Sequence, residues 1–258
     1  MAPTAESLTQ LGNEIKDKAD EIKKIPDALN DKLDEVRWKL PGAYLLASKV
    51  RDDMQDGLKA LITSLEELIE GLFAPALFIE YGAAWLQVAG RAGLAVGHLN
   101  DPKISLEGQW EGNAYSAYKE SRASQSAAAA RVNQMCQDVN AQLLAISSAG
   151  RDLYVAVINK LATLLAQISV AVIESATVVG FVWSINTFND AIVTCAELVA
   201  EVITNTFKEQ AAVQIAANQL EFMINHPAGF VPDSRGNDHW PSTVKDRFDS
   251  RDDDWKKT

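Results

Sequence analysis

Residues equipped for chemistry are scarce in this 258-residue chain: its histidines are His98, His226 and His239, and its cysteines are Cys136 and Cys195. A zinc or other transition-metal site would need such ligands at helical i, i+4 spacing or as close cysteine pairs, and the sequence offers neither. The histidines therefore read as loop and tail residues, and the thiols as small buried apolar side chains. The run DRFDSRDDD at 246–254 has oxygen ligands for calcium but lacks the glycine and closing glutamate of an EF-hand loop, so a solvated charged tail is expected. A glycine-rich phosphate loop, a Gly-x-Ser-x-Gly elbow and a carboxylate pair in apolar surroundings are all missing. The chain reads as non-enzymatic, with no metal and no cofactor.

The formal charge is −11 at pH 7, with no Lys/Arg run and no basic helix face, which argues against a nucleic-acid partner. A hydrophobic content of 47% supplies ample material for a core. The opening MAPTAESLTQLGNEIKDK lacks the basic start and apolar centre of a cleaved secretory signal.

Placing these residues requires the elements, and prolines mark them out. Pro3, Pro26, Pro41, Pro75, Pro102, Pro227, Pro232 and Pro241 divide the chain into helical segments, and no stretch alternates as a strand. The expected fold is all-α: an elongated helical bundle built on antiparallel hairpins, with a long apolar helix and a flexible C-terminal tail. Three regions follow: amphipathic helices at 1–73, a helical hairpin with an extended apolar part at 74–226, and a flexible charged tail at 227–258.

In the first region Leu8, Leu11, Ile15, Ala19, Ile22, Ile25, Leu29, Leu33, Val36 and Leu40 step by three and four, making one helical stripe that Pro26 should kink. Val50, Met54, Leu58, Leu61, Leu65, Leu68 and Leu72 repeat the pattern. Residues 76–97 are apolar and carry Gly82, Gly90, Gly93 and Gly97, which allow close helix approach. With Glu80 and Arg91 inside, a buried helix is favoured over a membrane span.

Residues 113–226 contain no proline and only Gly150 and Gly180 as glycines. A continuous helix of that length would extend on the order of 170 Å, so breaks are expected near Gly150, near Gly180 or at 186–190. Val132, Cys136, Val139, Leu143 and Ile146 follow coiled-coil-like steps of four and three. From Leu161 to Ile185 the segment is apolar all round, with Glu174 its only charge and with Gly180 and Trp183 inside it. Such a helix is buried on every side, by protein or by lipid.

Before the long run comes GQWEGNAYSAYKES at 108–121. Gly112 supplies a backbone conformation that other residues resist, letting the chain reverse between antiparallel helices, and Trp110 can cover the hairpin end. Asn113 suits the cap of the outgoing helix. Ala114 and Ala117, beside Tyr115 and Tyr118, give small-next-to-aromatic packing past the turn.

An apolar helix with small residues, a short loop, Trp110-x-Gly112, an alanine-rich first turn with Tyr118 and a heptad helix ending AISSAG together resemble the Trp-x-Gly family of helical hairpins. Those proteins are substrates of type VII (ESX) secretion systems. The resemblance covers roughly residues 60–150 and carries over only Trp110 and Gly112 as motif residues. It implies pairing of hairpins into a four-helix bundle, with a partner hairpin or with a second copy, and contact with the secretion machinery. The family also uses a Tyr-x-x-x-Asp/Glu export signal, which no tyrosine here satisfies; Phe248 to Asp252 comes nearest. Either a partner supplies the signal or the chain is not exported.

The expected function is thus that of a type VII secretion substrate or associated protein, secreted or held at the cell envelope, that acts by helix association. Trp110 and Gly112 would shape the turn, and Val132, Val139, Leu143 and Ile146 the seam. The alternative is a membrane-active protein inserting 161–185, with Arg151 and Lys160 before the segment and Asp190, Glu197 and Glu201 after it.

Overall fold

The structure, a computed structural model, describes residues 3–174 except 29, 32, 33 and 35–40, and scattered positions from 187 onward. It is all-α, as the periodicity predicts. Helix α1 spans Ala5–Lys23, α2 Pro41–Glu70, α3 Ala74–Leu99 and α4 Asn113–Glu174, with a 3-10 turn at Pro102–Ile104 between α3 and α4. The chain divides into two compact units, one of Met1–Ile79 and Ala145–Ala212, the other of Glu80–Leu144 and Val213–Thr258.

Helix α1 begins with a reciprocal cap. The Thr4 hydroxyl accepts from the Ser7 amide at 3.1 Å, and the Ser7 hydroxyl accepts from the Thr4 amide at 3.0 Å. The helix stops at Lys24, whose amide turns back to the Glu21 and Ile22 carbonyls, so the interruption falls two residues before Pro26. A proline there has no amide for the Ile22 carbonyl and restricts the residue before it. Pro41 and Pro75 sit in first turns, where a missing amide costs nothing.

The core of the first unit follows the expected stripes. Leu8, Ile15, Ala19 and Ile22 of α1 meet Leu58, Leu61 and Leu65 of α2 and Leu72 of the following turn. Each fully buried leucine or isoleucine contributes roughly 1.5–3 kcal/mol at most. Helices α1 and α2 run antiparallel: a Cβ on Gly12 would touch Leu72 and Phe73, while Lys23 Nζ reaches Glu66 Oε1 at 2.9 Å. The Lys16 ammonium lies 4.4 Å from the Phe73 ring centre. Leu29, Leu33, Val36 and Leu40 lie outside the described residues, as do the side chains of Val50 and Met54.

The same core takes Tyr154, Val157, Ile158, Leu161, Leu164 and Ile168 from α4. Of the segment expected to be buried on every side by protein or by lipid, the described part from Leu161 to Val170 meets protein on one face. Leu161, Leu164 and Ile168 are buried, but Ala162, Thr163, Ala166, Ser169 and Val170 are exposed. The outward positions are small or polar apart from Val170, so one face suffices for packing. Helix α4 is described as far as Glu174, whose side chain, like Gly180 and Trp183, lies outside the described residues.

Nor does α4 break at Gly150. The glycine is there for proximity: a Cβ on it would lie 2.7 Å from Pro75 Cγ. Ser147 donates its hydroxyl to the Pro75 carbonyl at 2.8 Å beside it.

Two short antiparallel ladders stand where no strand was expected, one of them within the tail. Val231–Pro232 (β2) pairs with Asp238–His239 (β3), and Phe230 and Trp240 meet edge to face at 5.7 Å. The other ladder joins Trp110–Glu111 (β1) to Lys256–Lys257 (β4).

Candidate functional site

The Trp110 turn is built from backbone geometry. Gly108 and Gly112 have φ of +75° and +97°, and Leu106, at +53°, is the non-glycine residue on that side among those described. The Gln109 and Trp110 amides both donate to the Leu106 carbonyl, at 3.0 and 3.2 Å. Trp110 is partly buried and Glu111 exposed. Gly112 is the helix cap: its carbonyl accepts from the Ser116 amide at 3.2 Å and α4 starts one residue later. The cap expected at Asn113 is therefore displaced by one, because Asn113 already has helical geometry.

Tyr118 holds the loop down. Its hydroxyl donates to the Ile104 carbonyl at 2.6 Å. Asn100, just past α3, exchanges hydrogen bonds with the Ser126 hydroxyl of α4 at 3.0 and 3.3 Å. Asp101 accepts from the Lys103 amide at 2.9 Å and so starts the 3-10 turn. The sequence reading placed Tyr118 in helix packing and missed its reach to a loop carbonyl fourteen residues back.

Behind the turn, α3 and α4 of the second unit pack through small residues. Ala114, Ser121, Ala128, Ala129 and Cys136 are buried on one face of α4. Val132, Val139, Leu143 and Ile146, expected to form the seam, share that face and are only partly buried. Asn133 donates to the Ala89 carbonyl at 2.6 Å, and a Cβ on Gly82 would lie 2.7 Å from Asn140 Oδ1. Close helix approach is thus made by glycine and alanine on α3 against asparagines on α4, a polar register that apolar spacing alone does not reveal.

That arrangement turns the large residues of α3 outward. Between 76 and 97 only Ala76, Gly82 and Ala89 are buried, which corrects the expectation of a buried helix. Tyr81 is 55% exposed, Trp85 42% and Leu94 67%, with Leu86 and Val88 also exposed. Tyr81, Trp85 and Val88 recur at steps of four and three, one outward stripe.

The histidines and cysteines among the described residues are dispersed. His98 lies in the last turn of α3 rather than in a loop, His239 is in β3, and His226 and Cys195 lie outside the described residues. Cys136 is buried, and that burial pushes its thiol above the ordinary range. Among the described residues no three metal-ligating side chains gather. Helix α4 also contains a stretch within Asn113–Val170 long and apolar enough to cross a membrane, 33% of it buried inside the chain. No family model matches the sequence, and neither does any curated protein or solved structure.

Proposed function

We propose that the chain is a non-enzymatic helical protein, secreted by or associated with a type VII (ESX) secretion system, that acts through helix–helix association with a partner hairpin or a second copy. The observation that carries this reading is the outward apolar stripe Tyr81, Trp85 and Val88 on a hairpin helix whose turn holds Trp110 and a positive-φ Gly112. Contiguous exposed apolar surface marks an interaction site. The hairpin buries its small residues internally and leaves its large ones for another molecule. The test is appearance of the protein in the culture medium of its native host, dependent on the secretion ATPase.

A second reading is favoured by the span-length apolar stretch of α4, of which two thirds is not buried. In it the apolar end of α4 up to Val170, extended by the apolar sequence to 185, inserts into lipid, and Leu161, Leu164 and Ile168 exchange the α1 and α2 core for another environment. Retention in carbonate-washed membranes supports this reading; complete extraction removes it.

A further inference from the structure

Apart from His98 in its last turn, helix α3 carries two ionisable acid or base side chains, Glu80 and Arg91, and both are exposed. They stand eleven residues apart, which is close to three full turns, so they share a face at a separation of about 16 Å along the axis. At that distance they cannot reach each other within one chain, and neither has an ion pair among the described residues. No opposite charge lies three or four positions from either on α3, so the helix itself supplies no partner.

The apolar side chains are arranged about the same point. Around the exposed Ala84, helical period puts Tyr81, Trp85 and Val88 on one side and Glu80 and Arg91 on the other. The midpoint between the two charges falls between Trp85 and Leu86, inside the outward stripe. A two-fold axis at that level lays a second α3 antiparallel on the first, and in a two-fold contact residue i meets j while j meets i. Glu80 of each copy then meets Arg91 of the other, and Ala84 faces Val88 of the second copy, its small side chain allowing close approach. Tyr81 and Trp85 of both copies run along the opposite flank, shielding one another from water. A parallel pairing in register would instead set acid on acid and base on base. The acid, the base and the apolar stripe that this face needs opposite it are all present on the face itself.

We infer that the occupant of the α3 stripe is a second copy of this chain, its α3 laid antiparallel about a two-fold axis near Trp85, with Glu80 of each copy paired to Arg91 of the other. The inference rests on the reading of α3 as an association surface and is independent of export. The apolar stripe supplies the attraction, and the two charge pairs fix direction and register.

The experiment is sedimentation equilibrium of the full chain and of full-length Glu80→Arg, Arg91→Glu and the double variant Glu80→Arg/Arg91→Glu, each checked for unchanged helicity by circular dichroism. The parent should dimerise. Each single variant should dimerise about tenfold or more weakly, because the two-fold repeats every like-charge contact. The double variant, and an equimolar mixture of the two single variants, should regain the parent's affinity, since both arrangements restore opposite charges across the contact. A parent that stays monomeric, single variants as tight as the parent, or no recovery in the double variant would each overturn the inference. A dimer that survives Glu80→Arg but is lost in Tyr81→Ser/Trp85→Ser would overturn this register and leave the association reading standing; a dimer indifferent to both would remove both from α3.

Discussion

Gly150 of α4 lies against Pro75 in the first turn of α3 so closely that an added Cβ would fall 2.7 Å from the proline Cγ and 3.0 Å from its Cβ. A proline ring in a helix cannot swing aside as a long side chain can. Gly150→Ala gains about 1 kcal/mol of helix propensity. It incurs an overpacking cost of about 1–3 kcal/mol, so the variant should be less stable by roughly 1 kcal/mol. Gly90 has nothing within 4 Å of a built Cβ, so Gly90→Ala should instead stabilise by about 0.5–1 kcal/mol. Urea unfolding followed by circular dichroism reads both, and opposite signs are expected.

Tyr154 is buried, and its hydroxyl donates to the Leu72 carbonyl in the turn between α2 and α3. Desolvation pushes the phenol well above its ordinary value of 10.0. A raised phenol favours the folded state fully below the unfolded value, and the contribution is lost as pH rises above about 10. Tyr154→Phe should lose about 1–3 kcal/mol at neutral pH by stranding that carbonyl. It should also show a shallower loss of stability between pH 9 and 11 than the parent, as an unfolding midpoint series would register.

Gly112 has open space around a built Cβ but a φ of +97°, so any cost of substitution there is conformational rather than steric. Gly112→Ala should destabilise by at least about 1–2 kcal/mol, and Gly112→Val by more. Gly97→Ala, in helix with equally open surroundings, should not destabilise. If thermal unfolding ranked Gly97→Ala as the more damaging, the turn would owe nothing to that backbone conformation.

How much of this was legible in sequence depended on whether a residue's role was local. The stripes Leu8, Ile15, Ile22 and Leu58, Leu61, Leu65 were readable because helical period alone decides which side chains share a face. The positive φ of Gly112 was readable because glycine is the residue that tolerates it. Gly150 stood as one of three candidate break points because a glycine in a helix has two explanations, flexibility and proximity, and the Pro75 that decides for proximity is seventy-five residues away in sequence. The pairing of Trp110–Glu111 with Lys256–Lys257 joins backbones whose side chains carry no common pattern, so nothing in the sequence announced it. The outward large residues of α3 were hidden by composition: an apolar helix reads as buried until the small residues prove to be the packed ones.

Tyr81 and Trp85 are about half exposed, so replacing both with serine should cost about 1–3 kcal/mol of stability and leave the chain folded. Self-association, or association with a co-purifying helical partner, should weaken markedly. Sedimentation of parent and variant over a concentration series checks this; unchanged association would move the interface elsewhere.

The central claim, helix association in the service of type VII export, is tested most directly by fractionating native-host cultures that express the parent or Trp110→Ala, with the secretion ATPase present or deleted. The account predicts parent protein in the medium, its loss on deleting the ATPase, and a reduced amount for Trp110→Ala at equal cellular levels. Protein held in carbonate-washed membranes whatever the state of the ATPase, and indifferent to Trp110, would contradict it.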